Sequence, residues 1–311
     1  MGILAGLMAT VMAGASTGPA GARPAAAIVI TEQAGHRILI LDADPATWEQ
    51  ARITWEWQPS RDNGFGDLVA GWGDPDEARL RNRQGRSYLL TTASAGLAAM
   101  VPYPAGHGGW GVDVGPEDNP HSIDLLPDGN VAVVASKGGW LRLYTASAGP
   151  RAASYAQVPL PGGHGVVWDE GSRLLWALGS TQLIALRVGG TPTQPTLTVV
   201  AQTPLPSRGG HDLQPVAGRP GHLWVTTARH LYQYSIARRA FLSDYPGADL
   251  MDVPGIKSID DQPSGSLVVS ARQRGNLCPD CTDTIALVAP AGSLTLHGSQ
   301  IYKARWWYAP A

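Results

Sequence analysis

The stretch "HSIDLLPDGNVAVVASKGGWLRLYTA" alternates apolar and polar residues in short runs broken by turn residues. A period of two over four to six residues predicts half-buried strands, and Pro-Asp-Gly-Asn predicts a tight turn between two of them. The same order then recurs: strand, turn, stronger strand, loop, strand, turn, outer strand. It is seen again from "HGVVWDEGSRLLWALGS", from "HDLQPVAGRPGHLWVTTARHLYQY" and from "KSIDDQPSGSLVVSARQRGNL". The leading residues are His121, His164, His211 and Lys257, spaced by 43, 47 and 46 residues. A repeat of that length suits one four-stranded propeller blade.

Two further units complete the series. "EARLRNRQGRSYLLTTASAGLAAMVPY" starts at Glu77, 44 residues before His121, and its Gly85 keeps the turn position occupied by Gly129 and Gly265. The remaining unit is split. "AAIVITEQAGHRILILDADPATWEQARITWEWQPS" offers three strands without an inner one, and "YKARWWY", with Lys303 in phase, offers one strand alone. Joining them closes a ring and removes an exposed edge. The expected fold is therefore all-β: a six-bladed β-propeller closed by its C-terminal strand in the N-terminal blade, with seven blades as the alternative. Residues 1–26 read as a signal peptide or leader, with a short apolar run and small-residue cleavage candidates, and residues 27–311 as one propeller domain.

Composition narrows the function classes. With 44% hydrophobic and 15% charged residues a large core can form, and a net charge of -2 gives no field for nucleic acid. The 11 Trp against 2 Phe suit either a sugar-handling surface or sheet cores filled with indole. The apolar leader is short for a membrane span. Cys278 and Cys281 form a lone Cys-x-x-Cys, which in an exported protein reads as a local disulfide rather than half a zinc site. The expected location is extracellular, and the expected state a monomer.

A propeller places equivalent inner-strand positions around one axis. Glu77, His121, His164, His211, Lys257 and Lys303 are thus expected to converge at one mouth. Three imidazoles there suit either a divalent metal such as Zn, Mn or Ca, or metal-free proton transfer. The structural alternative is that each merely bonds neighbouring backbone. Lys257 and Lys303, with Arg272 and Arg274 on a rim loop, suit a ligand carboxylate or sulfate. Arg229 and His230 sit on an equivalent loop. Arg79 and Arg305, two residues inward, should face the channel and need anionic partners there. Tyr232 and Tyr302 offer phenols, though strand tyrosines ordinarily pack.

The stretches "PHSIDLLPDGNVAVVAS", "GGHGVVWDEGSRLLWALGS", "GGHDLQPVAGRPGHLWVTTARHLYQY" and "QIYKARWW" resemble a family of exported bacterial β-propeller proteins without an assigned function. The resemblance implies the fold and supplies no activity. Oligogalacturonate lyases and peptidyl-hydroxyglycine amidating lyases are similar in architecture only. The expected activity is that of an exported carbohydrate-active enzyme, a lyase on uronate-containing glycans. His121, His164 and His211 would bind metal or move protons, and Lys257 and Lys303 would meet the carboxylate or supply base. Glu77 would complete a metal shell or orient a histidine. The alternatives are a glycoside hydrolase, a non-catalytic propeller binding an anionic oligo- or polysaccharide or a protein, and a metal-dependent lactonase or hydrolase.

Overall fold

A computed structural model describes residues 27–43, 52–288 and 291–308. The leader expected at residues 1–26 lies outside them. In chain order the strands form four-stranded antiparallel sheets. The first holds β1 (Ala27–Glu32), β2 (Arg37–Asp42) and β3 (Ile53–Trp57). The second holds β4 (Pro75–Arg83), β5 (Arg86–Ala93), β6 (Leu97–Tyr103) and β7 (Trp110–Asp113). The third holds β8 (Pro120–Leu125), β9 (Val131–Ala135), β10 (Trp140–Tyr144) and β11 (Tyr155–Pro159). The fourth holds β12 (Gly165–Asp169), β13 (Leu174–Leu178), β14 (Gln182–Thr191) and β15 (Gln194–Pro204). The fifth holds β16 (Leu213–Pro215), β17 (His222–Thr226), β18 (Leu231–Ser235) and β19 (Ala240–Leu242). The sixth holds β20 (Ile256–Asp261), β21 (Leu267–Ala271), β22 (Thr284–Val288) and β23 (Gly292–Thr295). The last strand, β24 (Ile301–Trp306), pairs antiparallel with β1 and completes the first sheet. Six blades and terminal closure are as the repeat predicts.

The core lies between blades as much as within them. Val29, Ile38 and Ile40 of blade one pack with Ala78, Leu89 and Val101 of blade two. Val167, Trp176 and Leu183 of blade four pack with Leu213, Leu223 and Tyr234 of blade five. Ile28, Ile30 and Leu39 pack with Val268 and Ile285 of blade six and with Ile301 and Ala304, so the ring closes on apolar surface. Trp57, Trp110, Trp140, Trp176, Trp224 and Trp306 are all buried. These six indoles fill the core and do not form a sugar-facing surface.

Turn chemistry follows the sequence. In the β8–β9 turn Asp128 Oδ1 accepts the Asn130 amide at 3.0 Å, and Gly129 takes φ +92. A side chain at Gly129 would meet Arg83, whose Nε donates to the Pro127 carbonyl, so this glycine also admits a contact between blades two and three.

Four of the six inner strands share one irregularity that shapes the site. Pairing shifts by one residue between Pro75 and Glu77, between Pro120 and Ser122, and between Ile256 and Ser258. A matching shift separates Ile30 from Glu32 where β1 meets β24. An extra residue in one strand breaks the strict alternation and lets consecutive side chains turn the same way. Counted through these registers, the partner of His121 in blade two is Asp76, not Glu77. The expected phase at Glu77 is therefore off by one residue, because spacing in sequence does not reveal where the extra residue falls.

Candidate functional site

The inner strands bring polar side chains to the axis in two layers. The deeper layer is an ion cluster. Glu77 Oε1 accepts Arg305 Nε at 2.6 Å, and Oε2 accepts Arg79 Nη2 at 2.7 Å, Arg305 Nη2 at 2.9 Å and Lys303 Nζ at 3.2 Å. Asp212 Oδ1 accepts Arg305 Nη2 at 2.7 Å and Lys303 Nζ at 3.4 Å. Its Oδ2 accepts Arg305 Nη1 and the Ile259 amide. Arg79 also reaches the Val166 carbonyl and Ser122 Oγ. All five charged groups are buried.

Burial alone would raise the Glu77 carboxyl, but Arg305, Arg79 and Lys303 hold it well below the usual carboxylate range. Asp212 is lowered likewise, against its burial, by Arg305 and Lys303. Asp76 is different: burial pushes it well above that range, towards the protonated form. Three cations thus face two firmly ionised carboxylates, so this cluster holds one more cation than anion.

The upper layer is the mouth. His121, His164 and His211 lie with ring centroids 4.6 Å (121–164), 5.0 Å (164–211) and 6.4 Å (121–211) apart. The Tyr302 hydroxyl stands between two of them, 2.8 Å from His211 Nε2 and 3.2 Å from His121 Nε2. Lys257 Nζ lies 3.5 Å from His211 Nε2 and 2.7 Å from Asp280 Oδ1.

Burial lowers all three imidazoles, helped by the lysines and, for His121 and His211, by His164. His164 falls to about 4 and the others well below 6.5. The rings are therefore neutral at neutral pH, and their tautomers follow from their partners. A carbonyl only accepts, so His164 Nδ1 donates to Gly162 O at 2.8 Å and leaves Nε2 with its lone pair. His211 Nδ1 likewise donates to Lys257 O at 3.2 Å, so its Nε2 accepts the Tyr302 proton. His121 Nε2 must then donate to the phenol oxygen. Its Nδ1 faces Asp76 Oδ2 at 3.6 Å, beyond a hydrogen bond. Burial, helped by the Asp280 and Asp212 carboxylates, raises Tyr302 well above 10, so the phenol keeps its proton.

The predicted residues separate into groups. His121, His164, His211 and Lys257 meet at the mouth. Glu77, Lys303, Arg79 and Arg305 lie together one layer deeper, where all three cations pair with Glu77, and Lys303 and Arg305 also with Asp212. Glu77 is held by cations and Ser122 rather than touching a histidine. Arg229, Arg272 and Arg274 stand on exposed rim loops, as does His230, whose Nδ1 lies 3.1 Å from Asp252 Oδ2. Cys278 and Cys281 form a disulfide. The sequence pattern passes over Asp76, Asp212 and Asp280, and it offers Tyr302 as a phenol only against the ordinary packing role of a strand tyrosine. The signals were present: Pro75-Asp76 mirrors Pro120-His121, and Asp212 follows His211 directly.

The imidazoles do not form a ready metal cage. Nε2 of His121 and of His211 are both engaged by Tyr302, and among the described residues no group of three or more His, Cys, Asp or Glu could hold a metal ion.

These features define a six-bladed β-propeller with a histidine–tyrosine–lysine mouth above a buried ion cluster. The chain belongs to a family of unknown function, DUF6528, whose model matches residues 13–310. No curated protein matches it. Among solved structures it is similar to a protein of unknown function from Bacteroides caccae, at 11% identity, a TM-score of 0.61 and coverage of 91% of this chain and 99% of that one. It is also similar to virginiamycin B lyase from Staphylococcus aureus, at 12% identity, a TM-score of 0.51 and coverage of 88% and 82%. At such identities the likeness is one of fold. Among the described residues no helix is long and apolar enough to cross a membrane.

Proposed function

We propose that the axial mouth is the site of a metal-independent lyase acting on uronate-containing glycans outside the cell. One observation carries the reading: a neutral imidazole with a free lone pair, a protonated phenol and an ammonium group share one mouth above an excess of buried positive charge. In β-elimination His164 Nε2 takes the proton beside the carboxylate. That electron pair forms the new C=C bond as the glycosidic C–O bond breaks, and Tyr302 gives its proton to the departing oxygen. Lys257 neutralises the carboxylate, which acidifies the proton to be removed. His121 and His211 hold the phenol in place. Lys303, Arg79 and Arg305 contribute field rather than contact. The disulfide suits an oxidising compartment and supports export. The S. aureus protein adds only that a chain of similar fold is named a lyase.

The test is to incubate the full chain with polygalacturonate, alginate and glycosaminoglycans and to follow the ultraviolet absorbance of the unsaturated uronate. Product is expected without added metal and in chelator. Product absent from every polymer rules the reading out, and product that appears only with added metal returns the histidines to ligation. A binding propeller for an anionic glycan is the second reading. It draws on the depressed histidines, since a base of pKa about 4 pulls weakly on a carbon acid. Saturable binding without product would select it.

A further inference from the structure

The loop between β21 and β22 carries the disulfide, and its residue Asp280 lies inside the four-residue Cys278–Cys281 ring. Both sulfurs stand against Gln33 Oε1 of the first blade, at 3.4 and 3.2 Å, so the loop leans back towards the axis. From there Asp280 Oδ1 reaches Lys257 Nζ at 2.7 Å. The two partners are unequal: the Lys257 side chain is 13% exposed, whereas that of Asp280 is 55% exposed. The ammonium belongs to the mouth and the carboxylate hangs over it from solvent. The same ammonium lies 5.6 Å from the centre of the Tyr302 ring, so whatever anion sits on Lys257 sits beside the histidine cluster.

We propose that Asp280 is a built-in competitor for the ligand: its carboxylate occupies the carboxylate subsite on Lys257 and is displaced when an anionic sugar enters. This rests on the reading of Lys257 as the anion-binding group of the mouth. The disulfide raises the effective concentration of Asp280 at Lys257 by restricting the loop, as a short tether does for any intramolecular partner. The contact sets a threshold. A ligand with one weakly held carboxylate must exceed the internal anion, whereas a polymer held by neighbouring sugars does so readily.

The experiment titrates D-galacturonate into the full-length protein by NMR and compares the parent with Asp280→Asn, Lys257→Met and Cys278→Ser/Cys281→Ser. Asp280→Asn is expected to tighten binding about two- to five-fold, the range expected for loss of one competing ion pair. The double serine variant is expected to tighten binding in the parent and to add nothing in Asp280→Asn. Amide exchange of residues 276–282 is expected to rise when D-galacturonate binds the parent. If Asp280→Asn leaves affinity unchanged or lower while Lys257→Met abolishes binding, the competitor is overturned and the anion site stands. If Lys257→Met binds as the parent does, or no protein binds the sugar, the anion site fails and the competitor with it.

Discussion

At the scale of the residue, the proposed chemistry depends on histidines kept neutral by burial. His164→Ala removes a part-exposed ring with a single backbone hydrogen bond, so turnover should fall by at least about a hundred-fold, in the range for loss of a general base. Its melting temperature should stay within a few degrees of the parent. A large fall in melting temperature would instead mark His164 as structural. The depressed pKa values also fix a sign for pH. An unfolded histidine binds its proton near 6.5, whereas His164 in the fold waits until about 4. The unfolded chain therefore holds more protons between those values, and stability falls as pH drops through that window. His164 alone should account for a slope of about 1.4 kcal/mol per pH unit there. Urea unfolding at pH 7 and pH 5 should show a smaller loss for His164→Asn than for the parent.

At the scale of the element, the one-residue register shifts decide which side chains face the axis. Tyr302 and Lys303 are neighbours on β24, yet Tyr302 joins the mouth and Lys303 the ion cluster. Asp76 and Glu77 divide the same way on β4. This is why the repeat was readable and the site only partly so. Spacing finds His121, His164, His211 and Lys257, because their residue types stand out. It misplaces Glu77 by one, because an extra residue leaves no mark on the apolar pattern. Asp280 was hidden for another reason: a loop's length does not say where its middle residue lands. The cluster also makes a stability prediction. Arg305→Met removes the guanidinium shared by Glu77 and Asp212 and takes two hydrogen bonds from each buried carboxylate. Such a loss is expected to cost about 3–5 kcal/mol in denaturant unfolding. A change under about 1 kcal/mol would mean that water or Lys303 replaces it.

At the scale of the whole molecule, six blades are held by apolar contacts between neighbours, and the axis gathers residues far apart in the chain. Glu77 and Arg305 are 228 positions apart and share two hydrogen bonds. That contact was legible as an expectation, since the split first blade implied closure and a buried arginine needs an anion. The partners themselves were not legible, because depth along the axis depends on strand tilt and register. Deleting Ile301–Trp306 should therefore do more than fray an edge. It removes the inner strand of blade one together with Tyr302, Lys303 and Arg305. The product is expected to lose cooperative unfolding in calorimetry and not merely to melt earlier.

Among the described residues twenty-three strands precede β24, and none of them carries the phenol that bridges His121 and His211. The bridge from His121 through Tyr302 to His211 therefore cannot form until β24 has paired with β1. If the proposed lyase reading holds, the group that protonates the departing oxygen is supplied only by ring closure, and copies with the first blade open are expected to stay inert.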